Sequence, residues 1–155
     1  MNYATNIFKI VTWFLTNKPM THKKLQKLLY FSYGIYLAQN NCDVDSLDNQ
    51  LFENKFEAWV HGPVDPTVYS VFKNNGINEL FIEKPVTINF DEKIMCALNK
   101  TMELYGDYDA DELERETHMQ APWIKARNGI EATEVSTTRL SEREIFLTFQ
   151  KIVNG

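Results

Sequence analysis

Residues 23–38 read KKLQKLLYFSYGIYLA, and the fold turns on where that stretch is placed. Leu25, Leu28, Leu29, Ser32 and Tyr36 recur at helical spacing, so they share one face. Phe31 and Ile35, with Tyr33 and Leu37 beside them, add apolar surface on another. A helix apolar over so much of its circumference belongs inside a core. Thr21 suits an N-cap, and the spacing predicts a helix over about 22–40.

Working outward, Ile7, Ile10, Val11, Phe14 and Leu15 predict an amphipathic helix over 4–17, ended by Pro19. Residues 41–50 are polar and read as a loop. Phe56 to Val60, short, aromatic and branched, suits a strand, and His61-Gly62-Pro63 turns the chain. Asp65 caps a short helix with Pro66 in its first turn; Val68, Val71 and Phe72 follow, and Asn75-Gly76 ends it. Val86 to Phe90 is a second candidate strand. A helix over 91–105 carries Ile94, Ala97, Leu98, Thr101 and Tyr105 on one face. Asp109 with Glu112 forms a capping-box start for the next helix, which stops before Pro122. Ser141 with Glu144 repeats that logic ahead of Ile145, Phe146, Phe149 and Ile152. The expected fold is mainly α, about six helices with a small two- or three-stranded β element, in a single compact domain over residues 1–155.

The composition agrees. A chain of 155 residues, 44% hydrophobic, is one domain's length and can bury a core without metal or disulfide staples. Glycine and proline total 11 residues, which excludes collagen-like and low-complexity classes. No run of 18 apolar residues is present, so no membrane contact is expected. Ile7 to Leu15 is interrupted by Lys9 and lacks a small-residue cleavage site, so it is not a convincing signal peptide. Two cysteines make no disulfide framework: Cys96 reads as a buried small hydrophobe, Cys42 as an incidental loop residue. The expected setting is a reducing cytoplasm.

The net charge of −5 is unevenly placed. Residues 1–42 hold Lys9, Lys18, Lys23, Lys24 and Lys27 and no acid. Residues 107–116, DYDADELERE, hold Asp107, Asp109, Asp111, Glu112, Glu114 and Glu116 against one arginine. Each run reads first as a solvated helix face. The basic run lacks arginine and the pI is about 5.2, so nucleic-acid binding is not expected. The acidic run is a candidate electrostatic docking face for a basic protein. A calcium loop is rejected, because its sixth position is Glu112 rather than Gly and its twelfth His118 rather than Glu.

Three histidines are candidates for chemistry. His22, in the first turn of the lysine-rich helix, reads as a solvated surface residue. His61, in the corner, reads as hydrogen-bonded to nearby backbone, and His118 as a C-terminal cap. A general acid/base or metal pair of His61 with His118 is the sharper alternative. Neither a His-Glu-x-x-His nor a Cys-x-x-Cys, glycine-rich loop or nucleophile elbow frames it. Trp59 and Trp123 each stand beside a proline corner, suited either to the core or to a partly exposed anchor for a protein partner.

Three segments together, KKLQKLLYFSYGIYLA (23–38), FEAWVHGPVDPTVYSVFK (56–73) and YGDYDADELERETHMQAPWIKAR (105–127), resemble the Panacea domain family, SocA-like or phage-associated proteins. The resemblance spans about residues 4–150. It is carried by Trp59, His61, Gly62, Pro63, Val64, Pro66 and Tyr69, then by Thr117-His118 and Pro122-Trp123. It implies the antitoxin half of a toxin–antitoxin pair of prophages and mobile elements, with no catalytic role and no cofactor. The implied partner is a protein toxin encoded next to the chain and neutralised by direct binding; association of two copies is compatible with the sequence. The motif residues are then either structural or contact residues. The rival functions are a protein adaptor or regulator of a phage or mobile-element partner and a small hydrolase using His61 and His118.

Overall fold

The computed structural model describes residues 2–155. Seven α-helices and six very short strands are formed among them. In chain order they are β1 (Asn2–Tyr3), α1 (Ile7–Asn17), β2 (Met20–Thr21), α2 (His22–Gln39), β3 (Asn49–Gln50), β4 (Glu57–Trp59) and β5 (Gly62–Val64). Then follow α3 (Pro66–Phe72), β6 (Glu79–Leu80), α4 (Glu92–Tyr105), α5 (Ala110–His118), α6 (Ala121–Ala126) and α7 (Glu142–Asn154).

The stretch that decides the fold sits where its pattern requires. Fifteen of the eighteen residues of α2 are buried. Thr21 caps it through Oγ1, which accepts from the Lys24 amide at 3.2 Å. Around α2 pack α7, α4, α5, β5 and α1. The aromatic residues of α2 knit these neighbours together. Phe31 stacks on Tyr105 of α4 with centroids 3.9 Å apart, and Tyr30 meets Phe149 of α7 edge-on at 5.4 Å. Each such side chain is worth about 1.5–3 kcal/mol on burial. The Tyr30 hydroxyl is satisfied by donating to Gln120 Oε1 at 2.8 Å.

The remaining helices follow their sequence patterns closely. In α4 the buried residues are Ile94, Ala97, Leu98, Thr101 and Tyr105, the face the spacing predicts. Asp109 and Glu112 form the expected capping box at the head of α5. Asn6 caps α1, so that helix begins three residues later than its apolar pattern suggests. Gly76 takes φ 59° after α3 and a single turn of 3-10 helix over Lys73–Asn75.

The strands make three separate pairs: β1 parallel to β3, β2 antiparallel to β6, and β4 antiparallel to β5 with Trp59 opposite Gly62. Several expectations are corrected. Val86 to Phe90 forms no strand; the segment is irregular and Val86 stays exposed, with no partner strand to complete it. The helix expected to stop before Pro122 does so at His118, and a seventh helix beyond the expected six, α6, follows with Pro122 in its first turn, where the missing N–H costs nothing. Cys96 is exposed, on the outer side of α4 away from the Ile94 face. The lysines of α2 are not a solvated face either: Lys24 and Lys27 are buried, because α5 and β5 cover that side. His22 is buried as well, under α3.

Candidate functional site

The corner between β4 and β5 collects most of the residues singled out in the sequence. Gly62 sits at φ 106°, a conformation that L side chains rarely adopt. A Cβ there would lie 2.7 Å from Lys27 Cε and 2.8 Å from Thr117 Oγ1. The hairpin therefore needs glycine twice, for its backbone angle and for its close approach to α2 and α5. Beneath it Lys27, only 1% exposed, donates from Nζ to the Pro63 carbonyl at 3.1 Å. Burial, with Lys23 nearby, pulls the Lys27 ammonium down to about 7 against a weaker opposing pull from Glu114.

Gln26 fastens the next residues. Its Oε1 accepts from the Asp65 amide at 2.8 Å, and its Nε2 donates to the Asp65 carbonyl at 3.2 Å. Asp65 in turn caps α3, accepting from the Val68 amide at 2.9 Å. Burial raises its carboxyl above the ordinary value, against the backbone hydrogen bonds of Val68 and Thr67. Pro66 starts the helix as expected.

Two aromatic layers flank this frame. On one side Tyr69, 36% exposed, stacks on His22 with centroids 5.5 Å apart and meets Trp59 edge-on at 4.7 Å. The Trp59 indole donates to Glu57 Oε1 at 2.9 Å and stays half-buried. On the other side His118 stacks on Trp123 at 3.9 Å, 18° from parallel. The Trp123 indole donates to the Trp59 carbonyl at 2.7 Å, and Pro122 is buried beside it. Trp123 is thus core, whereas Tyr69 and Trp59 present ring surface to solvent.

His61 and His118 are brought together, around Glu114. His61 Nδ1 lies 3.2 Å from Glu114 Oε1, and His118 Nε2 lies 3.9 Å from Glu114 Oε2. His61 thus meets a carboxylate across the chain rather than the local backbone expected of it. Lys23 Nζ already occupies the carboxylate, 2.5 Å from Glu114 and 2.7 Å from Asp111. Burial pushes Glu114 upward, but hydrogen bonds from Lys23 and His61 outweigh it and leave the group below its ordinary value. Burial lowers His118, opposed by Glu114 and by a Val60 backbone hydrogen bond. Among the described residues no group of three or more His, Cys, Asp or Glu could hold a metal ion.

The acidic run is therefore partly answered within the chain. Asp111 and Glu114 pair with Lys23, and Asp109 and Glu112 are engaged in the capping box. Asp107 is exposed and Glu116 half-exposed on the same segment. The residues whose role sequence reading missed are Gln26, Lys27 and Arg127, each acting on backbone atoms or on packing. Their one signal is polarity inside an otherwise apolar pattern, as with Lys27 one turn after Lys23.

The family model for the antitoxin SocA-like, Panacea domain matches residues 25–124, from α2 through the corner to α6. The chain belongs to this family. It is also similar to Antitoxin SocA of Caulobacter vibrioides (strain NA1000 / CB15N), 29% identical over 123 residues that cover 72% of this chain and 62% of that protein. The chain thus spans less than two thirds of the length of this curated relative. No solved structure matches. The segment shared with SocA-like proteins contains every motif residue of the corner, from Trp59 to Trp123. No described helix is long and apolar enough to cross a membrane.

Proposed function

We propose that this chain is an antitoxin that neutralises a protein toxin, encoded beside it, by binding it directly and without turnover. Membership of the SocA-like Panacea family over residues 25–124 carries this reading. The geometry supports it. Gly62, Pro63 and Pro66 hold the corner with little freedom left to lose, which lowers the entropy cost of docking. Tyr69 and Trp59 offer aromatic surface on that fixed frame, the residue types that dominate binding hot spots. In this reading His61, Val64 and Pro66 frame the contact, while His118, Pro122 and Trp123 support it from behind. The unpaired part of the acidic run, Asp107 and Glu116, steers a basic partner. Glu114, which lies between the histidines, is salt-bridged to Lys23 in the manner of a structural ion cluster rather than of a general base.

The test is co-expression in bacteria with the product of the neighbouring gene, scoring growth and pull-down together. Growth arrest by the neighbour alone, relieved by this chain in a stable complex, is the expected result. A neighbour without toxicity, or relief without any complex, overturns the reading.

A further inference from the structure

An apolar slot opens beside the corner, lined by Trp59, Val60, His61, Val64, Val135 and Ser136. Its volume is about 140 Å³. An apolar cavity of roughly 150 Å³ takes a benzene ring, so the slot holds one large side chain. One wall is the β4–β5 hairpin, inside the family-matched segment; the other is the loop carrying Val135 and Ser136, beyond its last matched residue.

That second wall is held in place with unusual care. Arg127, buried, donates from Nη1 to the Ala58 carbonyl at 2.9 Å and from Nη2 to the carbonyls of Glu131 at 2.8 Å and Glu134 at 2.5 Å. Its guanidinium also lies 5.2 Å over the Trp123 ring. Further along, the Ala58 amide donates to the Thr138 carbonyl at 2.8 Å, and Glu57 pairs with Arg139 across a β-bridge. A loop fixed at both ends nevertheless leaves Val135 85% exposed at the lip of the slot. Core packing does not account for an apolar side chain held out in this way.

The acids of the rim are Glu57, which stands at Trp59, and Glu134, which directly precedes Val135; Asp111 and Glu114 on the His61 side are paired with Lys23. Residues 128–138 contain Glu131 and Glu134 and no cation. Of the flanking cations, buried Arg127 is spent on main-chain carbonyls and Arg139 reaches the Asn54 carbonyl at 3.4 Å.

We infer that this slot is an anchor site for the toxin, taking one aromatic or aliphatic side chain flanked by basic residues, with Val135 as a specificity-determining residue. The proposal rests on the antitoxin reading and names the contact within it. The hairpin wall lies inside the family-matched residues; the Arg127-held loop, which brings Val135, lies beyond them.

Two measurements test it. In the first, a Lys-Lys-Phe-Lys-Lys peptide is titrated against the full chain by NMR, with Glu-Glu-Phe-Glu-Glu as the control. The basic peptide should shift the Trp59 indole and the Val135 methyls selectively; equal responses to both peptides, or shifts centred elsewhere, overturn the slot. In the second, Val135→Asp is compared with Ile77→Asp, a site 92% exposed and remote in sequence. Val135→Asp should weaken capture of the neighbouring gene's product at least about tenfold at an unchanged melting temperature, the scale of a hot-spot residue, while Ile77→Asp binds as wild type. If wild type and Val135→Asp capture and rescue alike, the slot is wrong and the antitoxin reading stands. If the wild type neither captures nor rescues, the antitoxin reading falls, and the toxin as occupant falls with it.

Discussion

Gly34 of α2 and Phe149 of α7 occupy one another's space: a Cβ on Gly34 would fall 2.2 Å from Phe149 Cδ2 and 2.4 Å from Cε2. The absent methyl group lets the phenyl ring lie against the α2 backbone, and both residues are fully enclosed.

Gly34→Ala should accordingly destabilise the protein. Helix propensity alone favours alanine by about 1 kcal/mol, whereas overpacking a buried site costs about 1–3 kcal/mol or more. Three ring atoms of Phe149 lie within 2.5 Å of the new methyl, so the clash wins. The expected net loss is about 2 kcal/mol, or roughly 4–8 °C in melting temperature. Combining it with Phe149→Leu should give less than the sum of the single losses; strict additivity would show that the two sites do not touch.

Lys27 sets a pH dependence. Its amine takes up a proton near 7 when folded and near the ordinary 10.5 when unfolded. Between those values the unfolded chain binds more protons, so stability falls as pH drops from the upper value to the lower and is flat below it. Lys27→Met keeps the stem against Gly62 and removes the titration. In urea midpoints taken between about pH 6 and pH 10, the difference favouring the variant should be largest at the acidic end and shrink toward the alkaline end. A constant difference would mean that Lys27 is not held down by burial.

Trp123 and Tyr69 should separate in their behaviour. Trp123→Ala removes a buried indole that stacks on His118 and bonds to the Trp59 carbonyl, a loss of about 3–5 kcal/mol. Tyr69→Ala, at a ring more than a third exposed, should cost far less and leave a cooperative melt. Thermal unfolding of both variants beside toxin capture decides the matter: a folded Tyr69→Ala that captures normally excludes Tyr69 as a contact.

Glu114→Gln should lower the His118 pKa further, since Glu114 opposes the effect of burial there. NMR titration of the His118 ring reads this directly, and an unmoved midpoint would refute the coupling. The wild-type carboxylate sits below its ordinary value, so its contribution to stability is complete above about 4.5 and is lost as pH falls through the folded value. Removing it should flatten that part of the acid unfolding curve.

The helical framework was readable because its signals are periodic and local. The buried face of α4, the Asp109 capping box and the Asp65-Pro66 start each lie within a few consecutive residues. What escaped depends on partners distant in sequence. His22 looks solvent-facing until Tyr69 and Phe72 cover it, and Lys27 looks like one more surface charge until β5 closes over it. Val86 to Phe90 has the composition of a strand and no neighbour to pair with. At the corner the residue types were legible, but not the carboxylate that joins the two histidines, because Glu114 sits 53 residues from His61.

Arg127 grips its loop only by main-chain oxygens, at Glu131, Ala132 and Glu134. Such a grip is indifferent to which side chains those positions carry. Mutation can therefore rewrite the exposed surface from Glu131 to Val135 while the path of the chain stays put. On the proposed antitoxin reading, a changing partner is met there by single substitutions, with the interior left untouched.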